Sequence, residues 1–389
     1  MASAHRRDDA PKVSLVALTF RKRVKRYLPS RYVDVARRWN GRAEAAAMRT
    51  AGKSRLLSYL YFGNWVSPFR REFYAVAYGR RMFNQSLQGA TGATYFLRRS
   101  AHRIEKGLIS RPRRSLFALD YIGQTVSAYR TEVERLSHDA DLSKVDLQSL
   151  NWVTDVLGAY FDAVDSSPVT DSAREVFLEA RALYREPDRV PESQKELVPY
   201  PFSSLESARV SYEDFLALSW RRRSVRWFEP KAVPRDSLDK AVAAASLSPS
   251  ACNRQPYEFR IFDEPELVKK VAAVPMGTRG FSDNFPAVVV LIGRQRAYAN
   301  HRDRHIIYID GSLAAMSFIY ALETMGLSSC AINWPDMEPQ ESAMAKLLGL
   351  EPDERVIMLI AVGYADPEGL IPYSQKLALD RVRSYNRAG

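Results

Sequence analysis

Arg221-Arg222-Arg223-Ser224-Val225-Arg226-Trp227-Phe228 and, further on, Ser248-Pro249-Ser250-Ala251-Cys252-Asn253-Arg254-Gln255-Pro256 are the stretches on which the fold of this chain turns. The first packs guanidinium donors and a hydroxyl into one short segment. Arginine presents a planar fork of donors and serine a neutral one, so the cluster suits a phosphate dianion, although a solvated turn has the same composition. In the second, proline and serine interrupt a helix and expose backbone N–H groups. Asn253 there offers both donor and acceptor to a heteroaromatic edge.

Working outward, a helix with Asp236 as N-cap carries Leu238, Ala241, Val242 and Ala245 on one face. Glu258 to Phe262 alternates like a strand, and Pro265 opens a short helix. Ala287–Gly293 and Val356–Gly363 are apolar runs of buried-strand length, and Asp310 to Met325 is a long helix stopped by Gly326. Strands and helices thus alternate around one sheet. Upstream, Leu116 to Ala180 has a helical period: Leu147, Leu150, Val153, Leu157, Tyr160 and Phe161 line one face, and Val176, Phe177, Ala180, Leu183 and Tyr184 another. Residues 185–204, rich in proline and charge, read as a linker. The expected domains are a basic leader at 1–50, a helical domain at 51–200 that includes the linker, and a third domain at 205–389.

The chain has 389 residues, 46% hydrophobic and 26% charged, so it can bury a sizeable core and is unlike collagen-like or disordered sequences. No stretch is read as a transmembrane helix, and no secretory signal is read at the start. Two cysteines, Cys252 and Cys330, make no disulfide framework or metal-ligand pair, which points to a reducing, cytoplasmic setting. The net charge of +12 divides into +19 over residues 1–120 and −7 over the remainder. The first third can therefore meet an anionic membrane or polyanion, whereas specific nucleic-acid binding is not expected.

Two N-terminal segments carry that charge. Residues 21–49 allow an amphipathic basic helix broken at Pro29 but read as a solvated leader, and residues 56–69 (LLSYLYFGNWVSPF) as a buried helix–turn segment that would also suit a membrane interface. There is no internal repeat, no GxxxxGK[ST] and no GxGxxG. His301 and His305 are four apart and could share a helix face, but they lack the glutamate of HExxH, so no metal site is assigned. His102, in AHRIEKGL, reads as a satisfied helix residue.

The two opening segments, at this spacing, resemble the FMN-dependent nitroreductase family. The likeness continues through Asp310-Gly311, the long helix ending Met325-Gly326-Leu327-Ser328-Ser329-Cys330, then Val362-Gly363-Tyr364 and Pro372-Tyr373-Ser374-Gln375-Lys376, covering about residues 212–389. It implies an α+β sandwich around a mainly antiparallel sheet, preceded here by a helical region, and a homodimer with FMN at the subunit interface. By position, Arg222, Arg223, Ser224 and Arg226 match the segment that holds the phosphate and ribityl chain, with Arg226 at the flavin pyrimidine edge. Pro249, Ser250 and Asn253 match the segment that the partner lays against the ring. Ser328 and Ser329 fall in the loop facing flavin N5, and Ser374 and Lys376 match closing phosphate contacts. Lys376 stands where many members have arginine, and Met276 to Phe281, with Arg279, matches no substrate loop of the family.

Hydride transfer requires no protein nucleophile, so no catalytic side chain is assigned. The implied activity is NAD(P)H-dependent, ping-pong reduction of a small-molecule acceptor of nitro, quinone or enone type. Two alternatives keep the flavin: an oxygen-dependent flavin-modifying enzyme, and an accessory protein of envelope polysaccharide assembly with little turnover, held at the inner face of the membrane by its basic part.

Overall fold

The computed structural model describes Ala46 and residues 54–62, 68–88, 93–138, 146–184 and 196–387. Most of the basic leader, all but Ala46 of the expected helix at 21–49, and residues 185–195 of the expected linker lie outside them. Contacts divide the chain into two units, residues 1–71 and 72–389.

In the first unit, helix α1 (Arg55–Phe62) begins beside Ser54, whose Oγ accepts from the Leu57 N–H at 3.1 Å. The Phe62 and Phe69 rings meet edge to face at 4.9 Å. The burial expected for this stretch is not found, because Leu56, Tyr59 and Leu60 are 68, 73 and 63% exposed. Helix α2 (Pro68–Leu87) starts in this unit and runs into the second.

The second unit opens with α3 (Thr94–Leu108), α4 (Ile122–His138), α5 (Leu147–Ala163) and α6 (Pro168–Leu183). Asp146 caps α5 by accepting from the Ser149 N–H. Ser167 and Thr170 form a capping box on α6, with Pro168 in the first turn. The stripes read from the sequence meet in one core of Leu150, Val153, Leu157, Tyr160, Phe161, Phe177 and Ala180 with Ile104, Ile122 and Tyr129. Leu183 departs from its stripe and is exposed, at the last turn of α6.

Helices α7 (Tyr212–Arg221) and α8 (Arg235–Ser246) lead to β1 (Tyr257–Phe262), α9 (Pro265–Ala272), β2 (Ala287–Arg294), α10 (Ile306–Thr324), β3 (Ser328–Asn333), α11 (Glu338–Leu348), β4 (Glu354–Gly363) and α12 (Leu379–Val382). The four strands pair antiparallel in the order β1-β2-β4-β3, with a bulge where Leu291 and Ile292 face Met358 and Val356. This is the α+β class expected. Alternation along the strands divides two cores. Val288, Val290, Ile292, Cys330 and Leu359 face α9, and Val289, Leu291, Ile360 and Val362 face α8 and α10. β2 is buried on both faces, which is why it reads as a continuous apolar run.

Three expectations are corrected. The helix after residue 228 begins at Arg235 behind Pro234, so Asp236 lies within its first turn and is not the cap. His301 lies in a short 3₁₀ turn and His305 precedes α10, so the two do not share a helix face. Third, His301–Thr324 is long and apolar enough to cross a bilayer by length and composition, although no such stretch was read. Its apolar character comes from packing: Ala314, Ala315, Phe318, Ile319 and Leu322 belong to the sheet core.

The contacts part between residues 71 and 72, and residues 185–195 of the expected boundary lie outside the described residues. Gly79 of α2 lies so close to residues 295–296 that a Cβ there would stand 2.8 Å from the Arg296 backbone nitrogen. Arg296 in turn grips Asp353 and Glu351, and Tyr95 of α3 packs on the Tyr298–Ile307 cluster. Helices α3 to α6 and the sheet therefore share one unit.

Candidate functional site

Helix α7 starts with a capping box, Ser211 Oγ accepting from the Asp214 N–H at 3.0 Å, and bonds from Ser211 hold the Asp214 carboxyl below the usual carboxylate range. It stops when Arg222 leaves helical geometry, its N–H still bonded to the Leu218 carbonyl. The chain then runs beside the sheet. Ser224 bridges Ser329 of β3, Val225 N–H donates to the Ser329 carbonyl at 3.0 Å, and Phe228 bridges Ala365. Local backbone pairing thus fixes where each arginine of the RRRSVR segment projects.

A cavity of 290 Å³ results. Leu216, Ser219 and Trp220 line it from α7, Arg222, Arg223 and Ser224 from the segment after it, and residues 372–376 from the C-terminal tail. Five predicted residues meet here: Arg222, Arg223, Ser224, Ser374 and Lys376. Arg223 stacks 5.5 Å from the Trp220 ring and donates to the Arg222 carbonyl. Among the described residues no carboxylate lies within ion-pair distance of Arg222, Arg223 or Lys376; the neighbouring Arg221 is the one that pairs, with Glu323 at 3.4 Å. Three cations without a carboxylate at ion-pair distance, and two serines, around one cavity suit a phosphate dianion in charge and in donor type. Ser374 sits in left-handed geometry, φ 51°, where the tail turns back on the site.

Arg226 lines a second cavity, of 420 Å³, with Met276, Gly277, Phe281, Cys330 and Asn333. Its guanidinium donates to the Ser224 carbonyl at 3.3 Å and lies 5.7 Å from the Phe281 ring. Burial raises the Cys330 thiol, with Arg226 opposing the shift, so the thiol stays protonated at neutral pH. The segment from Met276 that matched no family loop thus forms one wall, whereas Arg279 is exposed beside Gly280, whose φ of 91° makes the turn. Ser328 and Ser329 are not in a loop: both are buried and open β3, because they pair with Gly363 and Val362. Ser328 Oγ donates to the Glu323 carboxylate at 3.2 Å, and burial raises that carboxyl.

Pro249, Ser250 and Asn253 line neither cavity. They form a tight turn after α8 in which Cys252, Asn253 and Gln255 all have left-handed φ, near 50°. Ala251 N–H donates to Asp310 at 3.0 Å, and Asp310 also accepts from the Tyr298 hydroxyl at 2.7 Å. Burial raises both Asp310 and Tyr298.

The nitroreductase family model matches residues 220–278 and 274–364, a span that holds the second cavity, the turn and, of the first cavity, Trp220, Arg222, Arg223 and Ser224. The C-terminal region of this chain thus carries a match to the nitroreductase family. Human iodotyrosine deiodinase 1 is 24% identical over 228 residues, half of this chain and 78% of that protein. The enone reductase of CLA biosynthesis from Lactiplantibacillus plantarum is 34% identical over 103 residues, 26% of this chain and 48% of that one. Among solved structures, an FMN-dependent nitroreductase of Clostridium difficile aligns over 44% of this chain and 99% of its own, with 23% identity and a TM-score of 0.39.

Several residues that shape the nitroreductase domain carried no signal in the sequence. Leu216, Trp220 and Glu323 belong to no motif read in the sequence. Arg254, buried 4.7 Å from the Tyr298 ring, read as part of a turn. Arg98 reaches the domain from α3 and could be found only from the fold.

Proposed function

We propose that the nitroreductase domain binds FMN and that the protein is an NAD(P)H-dependent oxidoreductase acting on a small-molecule acceptor. The observation that carries this reading is the set of unpaired cations, Arg222, Arg223 and Lys376, around one cavity with Ser224 and Ser374. They would hold the 5′-phosphate, while Arg226, on the second cavity, would favour negative charge on the pyrimidine edge. Bound there, FMN supplies two-electron hydride chemistry, accepting from NAD(P)H and delivering to the acceptor. The protein's own part is to orient the ring, exclude water and offset charge. The sequence likeness to an enone reductase and to a deiodinase supports enone and halogenated aromatic acceptors beside nitro and quinone compounds.

A second copy of this chain belongs to the reading. Asn253 does not line its own chain's cavities, and exposed apolar side chains run along α10 (Ile309, Leu313), α7 (Phe215, Trp220) and the tail (Ile371, Tyr373). Surface of that kind marks an interface. NADPH oxidation with a quinone acceptor tests the enzyme assignment: a flavin-loaded chain without turnover would favour the accessory role. Sedimentation of an FMN-loaded monomer would contradict the shared site.

The reading also places the basic N-terminal third on an anionic surface at the inner face of a membrane. Exposed Leu56, Tyr59 and Leu60 in a segment of net charge +19 support it. Flotation with phosphatidylserine vesicles is expected to weaken in high salt and on removal of residues 1–80. Flotation unchanged by either treatment contradicts the proposal.

A further inference from the structure

The turn after α8 is strained and is held from outside the nitroreductase domain. Cys252 (φ 53°), Asn253 (φ 49°) and Gln255 (φ 49°) are three non-glycine residues in the left-handed region within four positions. L-residues adopt this geometry at a cost, and such a run persists only where the surroundings over-determine it. Two of its restraints are local: Ser250 Oγ accepts from the Gln255 N–H at 3.0 Å, and the Gln255 amide donates to the Ser246 carbonyl at 2.6 Å. A third comes from the sheet unit, through Asp310 and the Ala251 N–H.

A further restraint, from outside the sheet region, is Arg98 on α3. Its Nε donates to the Asn253 carbonyl at 2.7 Å and one terminal nitrogen to Gln255 Oε1 at 3.2 Å, so one guanidinium spans two of the strained residues. The other terminal nitrogen is fixed on the α5 side by Ser149 Oγ at 2.5 Å and by Asp146 at 4.0 Å, while the Trp152 ring lies 5.4 Å away. A planar fork anchored at one edge and donating from the other is a rigid connector between the helical core and the turn.

We infer that Arg98 is a positioning residue for the flavin site: it sets the conformation of residues 252–255 and, through Asn253, the fit of the FMN ring. The helical region, outside the family match, is in this way part of the active-site scaffold. The inference rests on the proposed role of Asn253 at the flavin.

The experiment compares full-length wild type with Arg98→Ala, Arg98→Lys and, as a control on the same helix, Arg103→Ala, whose guanidinium pairs with Asp120 and stacks on Tyr121. FMN affinity is read by fluorescence quenching, the flavin environment by visible circular dichroism, and folding by thermal melting without FMN. Arg98→Ala is expected to weaken FMN binding tenfold or more and to change the flavin dichroism, with Arg103→Ala matching wild type. Arg98→Lys, which keeps the charge beside Asp146 but not the two-pronged contact, is expected to melt like wild type yet bind FMN several-fold more weakly. It keeps the test decisive if the alanine variant does not fold. Cys252→Gly in the Arg98→Ala background is expected to recover part of the affinity, because glycine adopts positive φ without strain. Wild-type FMN affinity and dichroism in both Arg98 variants, with only a lowered melting temperature, would overturn the inference alone. A wild-type chain that binds no FMN would overturn both the inference and the reading on which it rests.

Discussion

Arg222 and Arg226 stand four positions apart on one extended segment and serve different cavities, so their losses separate two effects. Arg222→Ala removes a charge-assisted phosphate contact worth about 1.5–3 kcal/mol, which weakens FMN binding roughly 10- to 150-fold. At saturating FMN the midpoint potential should barely move. Arg226→Ala should shift that potential to more negative values, because a positive charge that favours the reduced cofactor is gone. Potentiometric titration of both variants checks the split, and equal potentials with parental affinity in both would remove the site assignment. These arginines were legible because a dense donor cluster carries its chemistry in the residue types themselves. Arg98 was not, since its partners Asn253 and Gln255 lie more than 150 positions away and no local pattern announces the contact. Leu56, Tyr59 and Leu60 misled in the opposite direction: aromatic and aliphatic side chains suggested burial and are exposed.

Among the elements, β1, β2 and β4 and the stripes of α5 and α8 were readable, because two-fold and 3.6-fold periods survive wherever one face is buried. β3 was missed. Ser328-Ser329-Cys330-Ala331-Ile332-Asn333 has no apolar run, and its pairing with β4, not its composition, makes it a strand. Helix starts were displaced for a related reason: Pro234 and His305 precede α8 and α10 without a side-chain cap to mark the turn. Glu323, near the end of α10, links three of these elements by accepting from Ser328 of β3 and pairing with Arg221 of α7. Burial is the largest influence on its carboxyl and raises it despite Ser328 and Arg221. A raised carboxyl favours the protonated fold, so this contribution is complete below the ordinary carboxylate range and is lost as pH rises through the raised value. Glu323→Gln lacks that titration. Arg221 is two-thirds exposed, so the ion pair forgone is worth at most about 1 kcal/mol. Urea unfolding should show the variant gaining on wild type between pH 4 and pH 7, and a variant that loses ground over that interval contradicts the assignment.

At the scale of the molecule, the sheet region and helices α3 to α6 share one compact unit, joined at Gly79, Tyr95 and Arg98. The composition shift near residue 185 reads as a boundary because proline and charge are the usual residues of linkers, and residues 185–195 lie outside the described structure. Charge asymmetry was legible as arithmetic, and the contact with an anionic surface proposed from it belongs to residues that precede most of the described structure. The central claim is that the cavity between Trp220 and Lys376 holds the phosphate of FMN. The most direct test is the visible absorbance spectrum of the purified full-length chain, before and after addition of FMN and removal of the excess. A bound-flavin spectrum at one FMN per chain is the predicted result; a colourless protein that leaves FMN fluorescence unquenched at micromolar concentration would contradict it.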